Sequence, residues 1–163
     1  MSYKNKPYGY YCFTPEKIIL ENFAGLINSF FKGTDNYLAA HNGKEFDFPF
    51  IARRMVINNV PIPGPLDNSA KKPWEVQHLD TMELWKFGDY KNYTSLSLLA
   101  TILGIPTPKD DIDGSMVGKV YWIDNDLERI TKYCQRDTIT VARLICRYKG
   151  VHWPGDDEIV FVN

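Results

Sequence analysis

The apolar and polar positions along the chain follow two kinds of pattern. Three short apolar or aromatic runs, at residues 8–13, 37–40 and 74–79, have the composition of strands. Longer segments between and after them repeat apolar residues at helical spacing. Strands that alternate with helices are typical of an α/β fold, so we expect one α/β domain that spans residues 1–163.

The predicted helices have recognisable ends. Thr14 and Pro15 suit the N-cap and the first position of a helix whose apolar positions continue to Phe30. Further helices are predicted at residues 48–58, 82–87, 94–103 and 126–148, the last capped by Asp124 or Asn125. Between the helices we expect loops at residues 61–73 and 105–114 and a short bridge at 121–123, with a small strand at 159–162.

The last predicted helix carries a carboxylate on its apolar face. The apolar stripe consists of Ile130, Cys134, Val141, Leu144 and Tyr148, and Asp137 lies within it. A charged carboxylate among apolar side chains must be paired, protonated or bound to a metal ion. Tyr133 precedes Asp137 by one turn on the same face. A structural ion pair with Arg53, Arg54 or Arg136 and a functional site both explain this placement.

Asp47 occupies a junction that α/β proteins use for ligands. It follows the strand at residues 37–40 and precedes the helix at 48–58, and open α/β sheets bind ligands at the carboxyl ends of their strands. Taken alone, Asp47 is better explained as the N-cap of the helix. Asp80, at the end of the third strand, is equally well explained as a turn residue, and His41 as a partner of the adjacent turn.

Two segments resemble known exonuclease motifs. His41-Asn-Gly-Lys-Glu-Phe-Asp47 resembles the second motif of 3′–5′ exonucleases with a ribonuclease-H-like fold, and Tyr133-Cys-Gln-Arg-Asp137 resembles their third motif in its tyrosine form. The similarity is strongest to a bacterial family of predicted exonucleases related to the proofreading domain of family-B DNA polymerases. It extends along residues 41–55, 72–91 and 105–114 and covers roughly residues 15–150.

The resemblance implies a fold, a reaction and a set of site residues. The fold would be ribonuclease-H-like, with a mixed sheet and flanking helices. The reaction would be hydrolysis of phosphodiester bonds at the 3′ ends of single-stranded DNA or RNA, assisted by two Mg²⁺ or Mn²⁺ ions ~4 Å apart. Asp137 would bind the ion that activates water, Tyr133 would orient that water, and Asp47 would hold the second ion. His41, Asn42 and Phe46 would contact the substrate. Asp80 would at most hold other site residues in place, without contacting the ions or the substrate.

The first motif of the family is missing from this sequence. The family pattern needs four acids, and no Asp-x-Glu precedes His41. Asp156-Asp-Glu158 contains that spacing, but it comes before a predicted strand and not at the end of one. We therefore expect an N-terminally incomplete domain that lacks its first strands and is impaired in catalysis. A strand-completing partner or a homo-oligomer could fill the gap.

Composition and charge limit the functions that this chain could have. A net charge of -1 argues against strong non-specific binding to nucleic acid, although Lys71, Lys72, Lys86, Lys91 and Lys109 could form a local basic rim. The absent motif favours one alternative, a non-catalytic module that binds nucleic acid or a protein partner. A phosphodiesterase acting on small nucleotides is another. Three cysteines without a zinc pattern, no secretion signal and no apolar run of ~20 residues predict a cytoplasmic protein without a membrane span.

Overall fold

A computed structural model of the chain describes residues 15–33, 36–89, 91, 93–106 and 112–161. The strand predicted at 8–13 and the Thr14 cap lie outside these residues. The elements are α1 (Glu16–Phe30), β1 (Ala39–Ala40), α2 (Asp47–Ile57), β2 (Leu79–Asp80), α3 (Thr81–Lys86), α4 (Leu96–Ile102), α5 (Val117–Lys119), a π-helical turn (Val120–Asp124) and α6 (Leu127–Tyr148). Single 3₁₀ turns occur at Gly64–Leu66, Pro73–Glu75 and Asp156–Glu158.

The two strands form a small parallel sheet. Ala39 lies opposite Leu79, and Ala40 lies opposite Asp80. Because parallel strands end at the same edge of a sheet, the segment after β1 meets the junction between β2 and α3. This pair of strands with helices around it gives the chain the α/β character that the sequence predicts.

One core lies between α1 and α2. Leu20, Ala24 and Ile27 recur at helical spacing and are buried on one face of α1. They pack in one cluster with Phe48 and Met55 of α2. On the surface, Arg54 of α2 forms an ion pair with Glu16 of α1. The segment that includes Asp47 is therefore attached to a well-packed helix pair.

A second core fixes α6. Leu144 of α6 and Leu99 of α4 are completely buried, and they cluster with Ala100 and Ile105. The α6 helix also packs against β1 and α3, where the hydroxyl of Tyr148 donates a hydrogen bond to the Thr81 carbonyl at 3.3 Å. The helix that carries Tyr133 and Asp137 thus runs beside the sheet.

His78 joins β1 to the loop before β2. The Leu38 N–H donates to His78 Nδ1 at 3.3 Å, so the other ring nitrogen carries the proton and donates to the Pro65 carbonyl at 2.6 Å. Phe48 meets the imidazole edge to face. Burial lowers the pKa of His78 below its ordinary value of 6.5, because an imidazolium would lose hydration and could not accept the Leu38 bond.

Three predicted elements differ from the structure. The strand predicted at 74–79 is a 3₁₀ turn at Pro73–Glu75 followed by a strand of only Leu79–Asp80, because Pro73 starts the turn and the Glu75 carboxylate accepts the Lys72 N–H at 2.7 Å. The bridge predicted at 121–123 is a π-helical turn. Residues 159–161 form no strand, since the described part of the chain offers them no paired neighbour.

The apolar stripe predicted for α6 is buried only in its second half. Val141 and Leu144 are buried as predicted, whereas Cys134 is exposed and Asp137 is half-buried. The buried residues of α6 all fall between Thr140 and Leu144, so the first half of the helix is covered less completely. Asp137 is therefore less deeply placed than the pattern predicts. Over the described residues, no helix is both long and apolar enough to cross a membrane.

Candidate functional site

A buried carboxylate organises the turn that follows β1. Asp80 is 2% exposed. Its Oδ1 accepts the Asn42 N–H at 2.9 Å, and its Oδ2 accepts the Lys44 N–H at 3.1 Å. Hydrogen bonds from N–H groups to a carboxylate are strong because the acceptor is charged. Asp80 thus fastens the turn at residues 41–46 to the end of β2.

Asp80 is also the N-cap of α3. Its Oδ1 accepts the Met82 N–H at 3.0 Å and the Glu83 N–H at 3.4 Å, which satisfies amides that have no partner within the helix. The sequence predicts a turn residue here, and the structure has a helix N-cap instead. The bonds to Asn42 and Lys44 were not predicted, because nothing in the local sequence of residue 80 marks a partner nearly 40 positions earlier.

The turn at residues 41–46 restricts which residues can occupy positions 42 and 43. Asn42 has a φ of 61°, a left-handed conformation that Asn tolerates better than most residues. The Asn42 Oδ1 atom is buried and has no hydrogen-bond partner in the described part of the chain. Gly43 is buried, and a β-carbon there would lie 3.3 Å from Phe48 Cζ and 3.4 Å from Asp47 Oδ2, with a still closer approach to the Ala40 side chain. Glycine is required by this close packing.

Asp47 lies in the first turn of α2. Phe46 occupies the N-cap position and makes no side-chain cap bond, so the N-cap role considered for Asp47 is wrong by one residue. A carboxylate in the first turn still interacts favourably with the helix dipole. The residue is exposed as a whole, but its carboxylate lies against Gly43. Partial burial, and then the negative charge of Asp80, raise the pKa of Asp47 above its ordinary value.

His41 connects the turn to α3 and to α6. Its Nδ1 lies 2.9 Å from the Thr81 hydroxyl, which in turn donates to the Ala40 carbonyl at 3.3 Å. Burial lowers the pKa of His41, and the negative charges of Asp80 and Asp137 act in the opposite direction. Asp137 is therefore within electrostatic range of His41. This electrostatic interaction links the two motif segments, which lie far apart in the sequence.

Tyr133 and Phe46 are the remaining predicted site residues. Tyr133 is half-buried, and its hydroxyl lies 3.9 Å from the position of a β-carbon at Gly114. Phe46 is 64% exposed and stacks on Phe50, with ring centroids 6.1 Å apart and planes at 9°. Two exposed aromatic rings thus lie near Asp47 in the chain, one residue before it and three residues after it.

Two of the lysines considered for a basic rim contact aromatic side chains. Lys72 lies over the Trp74 ring at 5.3 Å and Lys86 over the Tyr93 ring at 4.7 Å. Such cation–π contacts leave the charges at the surface. Lys109 lies outside the described residues.

The described residues do not supply a complete two-ion site. Among them, no group of three or more His, Cys, Asp or Glu side chains is placed to hold a metal ion. Asp47 and Asp137 remain the two predicted ligands, while both oxygens of Asp80 accept backbone N–H groups. A pair of divalent ions that share oxygen ligands needs more carboxylates than these two.

The comparisons with known proteins give one match. A family model described as a predicted 3′-5′ exonuclease related to the exonuclease domain of PolB matches residues 16–153. This range includes both motif segments. No curated protein and no solved structure matches the chain significantly.

Proposed function

Because the chain belongs to the family of predicted 3′–5′ exonucleases related to the exonuclease domain of PolB, we propose that it engages the 3′ ends of single nucleic-acid strands. The family match over residues 16–153 is the observation that carries the proposal. We also propose that the complete fold is ribonuclease-H-like, with the parallel β1–β2 pair as part of a larger sheet.

The geometry supports the same assignment of roles that the motifs imply. Asp80 holds the turn that precedes Asp47. The negative charge of Asp137 acts to raise the pKa of His41, which lies in that turn. In the proposed site, Asp47, Tyr133 and Asp137 face the scissile phosphate, and His41 and Asn42 contact the strand end. The exposed ring of Phe46 offers a stacking surface for a base, which needs no particular sequence.

We propose further that hydrolysis by this chain is impaired. Mg²⁺ or Mn²⁺ would supply the charge that stabilises a phosphodiester transition state, but the ligands among the described residues do not fit a two-ion site. The sequence also contains no Asp-x-Glu before His41. We therefore assign the chain's own residues to binding and positioning of the strand end and derive no metal-dependent step.

A digestion and binding assay tests this proposal. A single-stranded oligonucleotide labelled at its 5′ end is incubated with Mg²⁺ or Mn²⁺, and its binding is followed in parallel by fluorescence anisotropy. We expect measurable binding and slow shortening from the 3′ end. Asp137→Asn should lower the rate by at least about 100-fold, because an amide is a weaker ligand than a carboxylate for the Mg²⁺ or Mn²⁺ that would stabilise the transition state by several kcal/mol. Asp157→Asn, an exposed change in the tail, is the matched control.

Two results would contradict the proposal. One is a wild-type chain that neither binds nor shortens any single strand. The other is shortening that Asp47→Asn and Asp137→Asn leave at the wild-type rate. Faster hydrolysis of mononucleotide esters than of oligonucleotides would instead indicate a phosphodiesterase for small nucleotides.

A non-catalytic binding module is the second candidate function. The absence of Asp-x-Glu before His41 in the sequence and the incomplete ligand set among the described residues favour it. It predicts salt-dependent binding of single strands without any shortening at saturating Mn²⁺, or binding of a protein partner in place of nucleic acid. The same assay separates the two candidates.

A further inference from the structure

We propose that Asp80 is a positioning residue of the site, whose carboxylate sets the backbone of the Asn42–Lys44 turn. This inference rests on the proposed function for its role in nucleic-acid binding, but the anchoring of the turn can be tested without it. The family motifs do not include Asp80. Its assignment follows from the hydrogen bonds and burial that the structure shows around its side chain.

The first argument is that capping of α3 explains only half of the bonds. A helix N-cap needs one oxygen that accepts the second or third amide of the helix, and Asp80 Oδ1 already does this with Met82. Oδ2 accepts the Lys44 N–H at 3.1 Å, a bond that capping of α3 does not require. Oδ1 is shared with the Asn42 N–H. A serine or threonine would cap α3 equally well, so the carboxylate has a second task.

The second argument concerns burial. Asp80 is 2% exposed, and its bonds are to backbone N–H groups, while the nearby Lys44 ammonium pairs with Glu83 at 2.8 Å. A buried carboxylate is costly unless its oxygens are fully hydrogen-bonded. The turn at 41–46 supplies the missing donors. The carboxylate and the turn therefore stabilise each other.

The third argument links the turn to the proposed catalytic side chain. The Gly43 carbonyl accepts the Phe48 N–H at 2.9 Å, and the Asn42 carbonyl accepts the Phe46 N–H at 3.1 Å. These bonds connect the anchored turn to both neighbours of Asp47. The direction of Asn42 and of Asp47 thus depends on where Asp80 holds the backbone.

Two substitutions separate positioning from capping. Asp80→Ser keeps an oxygen for the Met82 amide but has none for Asn42 and Lys44. Asp80→Asn keeps one acceptor oxygen, which Asn42 and Met82 can share, and turns an NH₂ group toward the Lys44 N–H. Asp126→Ser is the matched control, because Asp126 caps α6 through the Arg129 N–H at 3.0 Å and is not bonded to the turn.

Amide hydrogen exchange measured by NMR gives the primary readout. In Asp80→Ser we expect exchange at Asn42 and Lys44 to accelerate at least about tenfold, as for loss of a bond to a charged acceptor. Met82 should accelerate much less, because the serine hydroxyl still accepts its N–H. In Asp80→Asn we expect the largest acceleration at Lys44 and smaller ones at Asn42 and Met82, because the amide oxygen still accepts their bonds but carries no charge. Binding of a fluorescent oligothymidylate should weaken about tenfold in the Ser variant, less in the Asn variant, and not in Asp126→Ser.

The outcomes are distinct. Unchanged exchange at Asn42 and Lys44 in Asp80→Ser overturns the anchoring, as does equal acceleration at Met82 and at the core amide of Leu99, which would mean general destabilisation. A loosened turn with unchanged oligothymidylate affinity overturns the positioning role. A wild-type chain that binds no oligothymidylate contradicts the proposed function instead, and the exchange pattern still decides whether Asp80 anchors the turn.

Discussion

A single methyl group added at Gly43 tests the packing on which the site depends. Gly43 lies where the end of β1 meets the start of α2, and it is buried. In Gly43→Ala the new β-carbon would come closer than 3.0 Å to the Ala40 β-carbon, nearer than real β-carbons approach. It would also touch Phe48 and the Asp47 carboxylate. The substitution therefore forces β1 and the turn apart.

The size of the effect follows from which atoms must move. Non-bonded carbon atoms are most stable about 3.5–4.0 Å apart. The new β-carbon at residue 43 and the Ala40 β-carbon must therefore separate by roughly 0.5 Å or more. Both β-carbons are attached directly to backbone, so a side-chain rotation cannot relieve the contact. Overpacking of this kind costs about 1–3 kcal/mol. We expect the upper half of that range, about 2–3 kcal/mol of unfolding free energy.

The matched control is the same substitution in open space. Gly25 lies within α1, and an added β-carbon there has nothing within 4 Å. Gly25→Ala should stabilise the chain by up to about 1 kcal/mol through helix propensity. Urea unfolding followed by circular dichroism gives both values, and the two substitutions should differ in sign. A Gly43→Ala chain as stable as wild type would refute the packing described for the turn.

Two further predictions concern the rest of the fold. The pKa of His78 is lowered from 6.5 in the folded chain. As pH falls, the unfolded chain therefore binds a proton at His78 before the folded chain does. The free energy of unfolding that the neutral His78 contributes above pH 6.5 is lost progressively below it. Melting temperatures at several pH values should therefore fall less steeply below pH 6.5 in His78→Gln than in wild type; an equally steep fall would contradict the neutral imidazole. Leu144→Ala should cost about 2–5 kcal/mol in urea unfolding, because Leu144 is completely buried between α4 and α6. Leu98→Ala, at a position 51% exposed, should cost less than about 1 kcal/mol, and equal losses would contradict the second core.

The helices could be predicted because their signals are local. Helical spacing predicts the last helix at residues 126–148, and the structure has Leu127–Tyr148. The predicted cap, Asp124 or Asn125, is wrong by one or two residues, because Asp126 is the N-cap. Strand limits depend on neighbours that a sequence does not reveal. At 74–79 the composition suits a strand, but only Leu79–Asp80 has a partner to pair with. The exposure of Cys134 has the same origin, because it depends on what covers the first half of α6.

The site could be predicted as two segments but not as an arrangement. Resemblance to the exonuclease motifs is enough to recognise the segments that contain Asp47 and Asp137. The role of Asp80 could not be found in this way, because its bonds to Asn42 and Lys44 cross 38 and 36 positions of sequence. The sequence shows an acid at the end of a predicted strand, and the turn explanation already satisfies that pattern.

Asp80 has two opposite effects on Asp47. Its hydrogen bonds order the turn that presents Asp47, but its negative charge raises the pKa of the Asp47 carboxyl and so opposes ionisation. Backbone N–H groups satisfy the oxygens of Asp80 without cancelling its charge. Positive charge close to Asp47 would therefore be stabilised by both carboxylates at once.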